Sequence, residues 1–109
     1  RCNAVLSGYM GSAETGKAIL GALAKVRAGN PAALYACDPV IGDVGRGIVV
    51  RPGIPEFMRD HAVPAADIIT PNLFELEWLS GEKASHAAGL RSALTKVHAL
   101  GPRVILVTS

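Results

Sequence analysis

The sequence lacks the features that mark a membrane protein or a nucleic-acid-binding protein. No apolar stretch in its 109 residues approaches the roughly 20 residues needed to cross a bilayer, and Arg1 opens no charged-then-apolar leader. The 11 Lys and Arg are nearly balanced by 9 Asp and Glu, which leaves no basic excess for a nucleic acid. We therefore expect a soluble protein whose partners include neither a membrane nor a nucleic acid.

Cysteine and histidine are also scarce. Cys2 and Cys37 lie in or beside predicted buried strands, and their spacing does not suit a metal site. We expect both thiols to be reduced and the protein to be cytoplasmic. His61, His86 and His98 have no partner at metal-ligand spacing, so we expect them on solvated helix surfaces.

No linker, internal repeat or low-complexity tract divides the chain, which indicates a single domain over residues 1–109. The sequence begins directly before one predicted strand and ends directly after another. A doubly wound domain normally covers its last strand with a further helix. We therefore interpret residues 1–109 as a partial domain, the middle portion of a longer one.

Four short apolar runs of β type, residues 4–7, 34–37, 68–69 and 104–107, each end in a turn of polar, glycine or small residues. Segments with helical periodicity or helix-capping residues lie between them. These predicted helices cover residues 12–29, 55–60, 73–81 and 85–101, with a turn at Pro64 before the third strand. The alternation predicts an α/β fold, a three-layer sandwich with a mainly parallel sheet.

The turns after parallel strands share one edge of the sheet, and ligands bind in the crevice at that edge. Asp38, Asn72 and Thr108 are therefore candidates for a single site. Pro39 restricts Asp38 to an extended backbone, which directs its carboxylate into the crevice. An Asx turn that ends the strand accounts for Asp38 about equally well.

Asn72 and Glu75 lie three residues apart at a predicted helix start, so they project from one face of its first turn. An amide oxygen and a carboxylate at that position suit a hydrated Mg²⁺ that carries nucleotide phosphates. The same spacing is that of a capping box, in which each side chain bonds the backbone of the other residue. Taken alone, the spacing favours capping.

A glycine-rich segment, residues 42–47, follows the second strand. It lacks the Gly-Lys-Ser/Thr ending of a P-loop, and its glycines favour a hairpin before the run 48–50. Asp43 and Arg46 could still reach a nucleotide from this hairpin. Phe74 and Trp78, on the helix after Asn72, are expected to pack in the core or at an interface.

The segments 38–43 (DPVIGD) and 66–77 (ADIITPNLFELE) closely resemble the ribokinase-like superfamily, and specifically its pyridoxal kinases. Residues 6–12 and 101–109 fit the same family in the same order. The resemblance implies a ribokinase-like, Rossmann-like fold and transfer of a phosphoryl group from MgATP to the 5′-hydroxyl of pyridoxal or a related B6 vitamer. It also implies a role in vitamin B6 salvage and a homodimer.

The resemblance further implies roles for particular residues. Asp38 would lie near the ATP phosphates and the metal, and Tyr9 would line the side of the crevice nearer the substrate. Asn72 and Glu75, together with Asp38, would hold Mg²⁺, largely through water. The residues implied for binding ATP are Asp38, Asp43, Thr70, Glu75, Thr108 and Ser109.

One family element is missing from this sequence. Family members carry a Gly-x-Gly-Asp segment whose aspartate deprotonates the substrate hydroxyl, and none occurs here. We assign no catalytic residue within the chain and expect the base beyond Ser109. Two alternatives stay open: a hydroxymethylpyrimidine kinase, which would share the Asp-Pro-Val and Asn-x-x-Glu elements, and a non-catalytic Rossmann-like binding module.

Overall fold

The computed structural model describes residues 2–108 and contains a parallel sheet of four strands, as predicted. A separate antiparallel pair of strands forms a hairpin. In chain order the elements are β1 (Ala4–Ser7), α1 (Ala13–Gly29), β2 (Leu34–Cys37), β3 (Gly42–Asp43), β4 (Gly47–Ile48), α2 (Ile54–Phe57), a π-helical turn (Met58–Ala62), α3 (Val63–Ala65), β5 (Ile68–Ile69), α4 (Leu73–Ser80), α5 (Ala87–His98) and β6 (Val104–Ile105).

The order of the strands across the sheet is β1-β2-β5-β6, and every neighbouring pair is parallel. Each strand is therefore added on the same side of the one before it. Because crossovers between parallel strands are right-handed, this order places all the connecting helices on one face of the sheet. The α/β fold with a parallel sheet is confirmed.

Side-chain burial shows the same asymmetry between the two faces. Tyr35, Cys37 and Ile69 point to one face and are no more than 1% exposed. On the opposite face, Leu6 is 82% exposed and Val104 is 45% exposed. Residues 2–108 thus form the sheet and one helical layer of the predicted sandwich, and its third layer is not built from these residues.

Helix α1 follows from its sequence signals. The Ser12 side chain caps it by accepting a hydrogen bond from the backbone N–H of Thr15 at 3.1 Å. Leu23 is buried in the core, with Ile19 packed beside it. The helix ends at Gly29, as the Gly-Asn-Pro sequence predicts.

The segment between the hairpin and β5 differs from the prediction. Helical structure continues from Ile54 to Ala65, so Pro64 lies inside α3 and does not form a turn. The π-helical turn just before it bonds the Val63 N–H to the Met58 carbonyl, one residue further back than in an α-helix. Pro64 follows at the start of α3, where its missing N–H is tolerated.

Two of the histidines bond the backbone at the ends of helix α5. Helix α5 begins at Ala87, not near Ser85, because His86 caps it: its Nδ1 accepts a hydrogen bond from the Gly89 N–H at 3.1 Å. His98 Nδ1 lies 2.9 Å from the Pro102 carbonyl oxygen. Both are exposed, as expected, yet both bond the backbone.

Of the other expectations, Cys37 is buried in β2, whereas Cys2 is exposed and not part of a buried strand. Phe74 and Trp78 are partly buried against the core, as predicted. No helix in the part of the chain that the structure describes is long and apolar enough to span a membrane.

Candidate functional site

The carboxyl ends of the strands are joined by backbone hydrogen bonds, so the turns that follow them lie at one edge. The Asp38 N–H donates to the carbonyl at the end of β1 (2.9 Å), and the Thr70 N–H donates to the carbonyl at the end of β2 (3.2 Å). The Thr108 N–H donates to the Pro71 carbonyl (2.9 Å), which places Thr108 beside Asn72. The predicted gathering of these turns at one edge is confirmed.

Asp38 is exposed at this edge, in front of the fully buried Pro39. The Val40 N–H donates to the main-chain carbonyl of Asp38 at 2.8 Å, and not to its carboxylate. The Asx turn considered from the sequence is therefore not formed. Within residues 2–108 the carboxylate has no hydrogen bond or ion pair, which leaves it available to a ligand or cation.

Asn72 and Glu75 form the complete capping box at the start of α4. The Asn72 Oδ1 accepts the Glu75 N–H at 2.8 Å, and the Glu75 Oε1 accepts the Asn72 N–H at 2.9 Å. The capping interpretation is confirmed. A role of the two residues in holding Mg²⁺ stays a prediction.

The same two side chains also bond the loop after β2, which sequence reasoning missed. The Glu75 Oε2 accepts the N–H groups of Ile41 (2.8 Å) and Gly42 (3.4 Å), and the Asn72 Nδ2 donates to the Gly42 carbonyl (2.8 Å). Glu75 is only 5% exposed. These contacts join residues 30 or more positions apart, so no local pattern indicates them.

The glycine-rich segment forms the predicted hairpin from β3 and β4. At its turn, the Asp43 Oδ2 accepts the Arg46 Nε–H at 2.9 Å and the Nη2–H at 2.7 Å. These bonds hold the pKa of the Asp43 carboxyl below its usual range, so Asp43 is an anion at neutral pH. The Arg46 backbone N–H completes the turn by donating to Asp43 Oδ1.

A cavity of about 420 Å³ lies between the hairpin and the start of α4. It brings together Asp43 and Asn72, two of the predicted site residues. Its lining consists of Asp43, Val44, Gly45, Asn72, Leu73 and Phe74.

The remaining predicted residues lie at the same edge but outside this lining. Tyr9 follows β1 and is 62% exposed, Thr70 is half-buried and Thr108 is exposed. Ser109 lies outside the described residues. The structure therefore gathers the predicted residues into one region without placing them all in one cavity.

Beneath the edge lies a buried polar group that the sequence did not indicate. The Ser7 Oγ and the Tyr35 hydroxyl are 2.6 Å apart. Burial raises the pKa of the Cys37 thiol and lifts that of Tyr35 above its usual range, so both side chains are neutral at physiological pH. Tyr35 and Cys37 are thus uncharged, buried side chains of β2, the strand that ends directly before Asp38.

Direct binding of a magnesium ion by Asn72 or Glu75 would compete with the backbone hydrogen bonds that both side chains already make. In residues 2–108 no cluster of three or more His, Cys, Asp or Glu side chains could hold a metal ion. Glu75 and Asn72 already bond backbone groups through both ends of their side chains. Among the predicted metal residues, Asp38 presents a carboxylate that has no hydrogen bond or ion pair within residues 2–108.

Comparison with known proteins shows the family of the chain. The model of the phosphomethylpyrimidine kinase family matches residues 1–109. The chain belongs to the phosphomethylpyrimidine kinase family. The sheet edge at which Asp38, Asn72 and Thr108 meet is therefore part of a chain from this kinase family.

The proteins to which this member of the phosphomethylpyrimidine kinase family is similar include pyridoxal kinases. Pyridoxal kinase PdxY of Granulibacter bethesdensis is 64% identical over 114 residues, which cover 100% of this chain and 40% of the relative. The crystal structure of pyridoxal kinase from Entamoeba histolytica matches with a TM-score of 0.88 and 29% identity, over 98% of this chain and 37% of that one.

A third match is Plasmodium falciparum PdxK, crystallised with AMP-PNP and PL. It has a TM-score of 0.86 and 28% identity, over 97% of this chain and 39% of that one. The chain thus spans no more than 40% of the length of these three proteins.

Proposed function

We propose that the protein carrying this chain is an ATP-dependent pyridoxal kinase. It would transfer the γ-phosphoryl group of ATP to the 5′-hydroxyl of pyridoxal or another B6 vitamer. The observation that carries the proposal is the 64% identity to a pyridoxal kinase over the whole chain. The crystallised relative with AMP-PNP, a nucleoside triphosphate analogue, supports ATP as the co-substrate.

The geometry of the sheet edge suits this reaction. Phosphoryl transfer is catalysed mainly by positioning the reactants and by balancing charge on the phosphates. The cavity beside Asp43 and Asn72 offers room for part of a nucleotide, and the free carboxylate of Asp38 lies at the same edge. We propose that the ATP phosphates bind here, near Thr70 and Thr108. Contacts of Glu75 and Ser109 with ATP stay predictions.

Two groups in the reaction need further assignment. The base that takes the proton from the acceptor hydroxyl is proposed to lie outside residues 1–109, since no Gly-x-Gly-Asp segment occurs among them. Tyr9, exposed after β1, is proposed to line the acceptor side of the site. Magnesium at Asp38, Asn72 and Glu75 stays a prediction, as do the homodimer and the cytoplasmic location.

A second candidate is a kinase of hydroxymethylpyrimidine or its phosphate, because the family model that covers residues 1–109 carries that description. The Asp-Pro-Val and Asn-x-x-Glu elements would serve ATP in either enzyme. The two candidates therefore differ in the acceptor that the full-length protein selects.

Competition between acceptors tests the proposal. The full-length protein is given ATP with either pyridoxal or hydroxymethylpyrimidine, and ADP release is measured against a control without acceptor. We expect kcat/KM for pyridoxal to exceed that for the pyrimidine by at least about tenfold, since a site built to hydrogen-bond the polar groups of one substrate rejects an analogue that lacks them. Preference for the pyrimidine would favour the second candidate, and no acceptor-dependent ADP release would contradict both.

A further inference from the structure

We propose that Asn72 and Glu75 form a positioning clamp on the glycine hairpin, residues 42–48, and act through it instead of as direct ligands of a metal. The hairpin forms one wall of the cavity at the sheet edge. The inference deepens the proposed kinase function and rests on it, because it says how the nucleotide-binding edge is held in shape.

The bonds of Glu75 carry the first step. An ionised carboxylate has about four acceptor positions, and in Glu75 three of them are used by the N–H groups of Asn72, Ile41 and Gly42. A carboxylate that is only 5% exposed depends on such bonds to offset its lost hydration. Both bonds of Oε2 hold the loop to α4, and Oε1 also serves the Asn72 N–H, so Glu75 is committed mainly to backbone groups.

Asn72 completes the clamp from the other side. Its Oδ1 caps α4 through the Glu75 N–H, while its Nδ2 donates to the Gly42 carbonyl. The peptide groups on either side of the Gly42 Cα are therefore both fixed, the N–H by Glu75 and the carbonyl by Asn72. Asn72 is the N-cap of α4 and Glu75 lies in its first turn, so both side chains of the clamp are held at the same helix end.

Gly42 is where the clamp meets the hairpin. A Cβ at this position would collide with the Gly47 carbonyl, so the two strands close tightly here because residue 42 has no side chain. The next residue, Asp43, lines the cavity together with Val44 and Gly45. The position of Gly42 relative to α4 thus sets the distance between the two walls of the cavity.

The variant Asn72→Asp separates the clamp from a direct metal role. Aspartate keeps the helix cap, since it accepts from the Glu75 N–H, but it cannot donate to the Gly42 carbonyl. It also adds an anionic oxygen, which a magnesium ion would prefer to an amide. A direct ligand role therefore predicts retained or tighter use of magnesium, and the clamp predicts a loosened hairpin.

The experiment measures amide hydrogen exchange of the nucleotide-free full-length protein, followed by the ATP and magnesium dependence of its kinase activity. In Asn72→Asp and in Glu75→Gln we expect exchange over residues 41–49 to accelerate about tenfold or more, as for loss of a hydrogen bond to a charged or buried group. The KM for ATP should rise, while the free magnesium concentration for half-maximal activity stays within about twofold.

Glu77→Gln is the matched control. Glu77 also lies on α4, and its carboxylate also accepts a backbone N–H, that of Ala84 at 2.7 Å, but it does not contact the hairpin. Loss of the Glu77 charge in this variant should leave exchange over residues 41–49 unchanged. This control separates the clamp from any general weakening of α4.

Three results would overturn the clamp. One is unchanged exchange over residues 41–49 in Asn72→Asp. Another is an acceleration in α4 as large as that over residues 41–49, which would mean that loss of the helix cap explains the effect. The third is a rise of about tenfold in the half-activating magnesium concentration without faster exchange. If the wild-type protein shows no kinase activity, the proposed function fails, and the exchange data alone decide the clamp.

Discussion

Arg27 and Asp67 form an ion pair, 2.8 Å between Nη2 and Oδ2, at the edge of the sheet opposite the candidate site. The same Asp67 oxygen accepts the backbone N–H of Tyr35 at 2.9 Å, and the Arg27 guanidinium also donates to the carbonyls of Ala33 and Ala65. This group joins the last turn of α1 to the starts of β2 and β5. It fixes the amino ends of the strands whose carboxyl ends carry the site.

The substitution Asp67→Ala should lower the free energy of unfolding by about 1–3 kcal/mol, because it leaves the Tyr35 N–H without its acceptor and removes the carboxylate partner of Arg27. Urea unfolding of the full-length protein measures the loss. Asp60→Ala is the control, since its ion pair with Arg59 joins adjacent residues whose side chains are 49% and 42% exposed. Asp60→Ala should leave the urea midpoint nearly unchanged, and equal losses for the two variants would contradict the prediction.

Two glycines of α1 should respond to alanine with opposite signs. A Cβ on Gly16 would collide with the ring of Phe57, whereas one on Gly21 would meet open space. Gly16→Ala should therefore destabilise the protein by about 1–3 kcal/mol through overpacking. Gly21→Ala should stabilise it by about 0.5–1 kcal/mol through helix propensity. Thermal unfolding of both variants gives the test, and shifts of the same sign would contradict it.

Local signals in the sequence predicted most of the fold. The Ser12 cap, the apolar spacing of α1 and the glycine after α4 act within a few residues, so they can be read directly from the chain. The π-helical turn before Pro64 could not be predicted from local sequence, because it depends on packing in the core. Met58 and Val63, whose backbone groups bond across this turn, are both fully buried. The uncovered face of the sheet follows only from the order of the strands.

The candidate site was predicted only in part, because some of its features follow from local sequence and others depend on contacts between distant residues. That Asp38, Asn72 and Thr108 share an edge follows from parallel strands, and the capping box follows from the spacing of Asn72 and Glu75. The bonds from Glu75 to Ile41 span 34 positions of the chain and depend on how α4 meets the loop after β2. Such a contact has no counterpart in local sequence.

Asp38→Asn should lower kcat of the full-length protein by about 10²-fold or more, since it removes the unpaired carboxylate that is proposed to hold a cation beside the ATP phosphates. Its melting temperature should hardly change, because within residues 2–108 the Asp38 carboxylate makes no hydrogen bond that the variant could lose. Asp60→Asn, which also removes one exposed carboxylate, should keep its activity. A stable Asp38→Asn protein with full turnover would contradict the assignment.

The buried thiol of Cys37 predicts a loss of stability at alkaline pH. Its pKa is raised by burial above the ordinary value of 9.0, so above that pH the unfolded chain loses the thiol proton while the folded protein keeps it. Stability is therefore complete below about pH 9 and falls as pH rises towards the folded-state pKa, by at most about 1.4 kcal/mol per pH unit for one group.

Unfolding midpoints in urea, measured from about pH 8 to about pH 10, test this dependence. Cys37→Ala should be less stable at every pH because of the cavity it leaves, but its midpoint should fall less steeply than that of the wild type. Cys2→Ala is the control, since Cys2 is exposed, and it should keep the steep wild-type fall. Parallel curves for the wild type and Cys37→Ala would mean that other groups, such as the buried Tyr35, cause the alkaline loss.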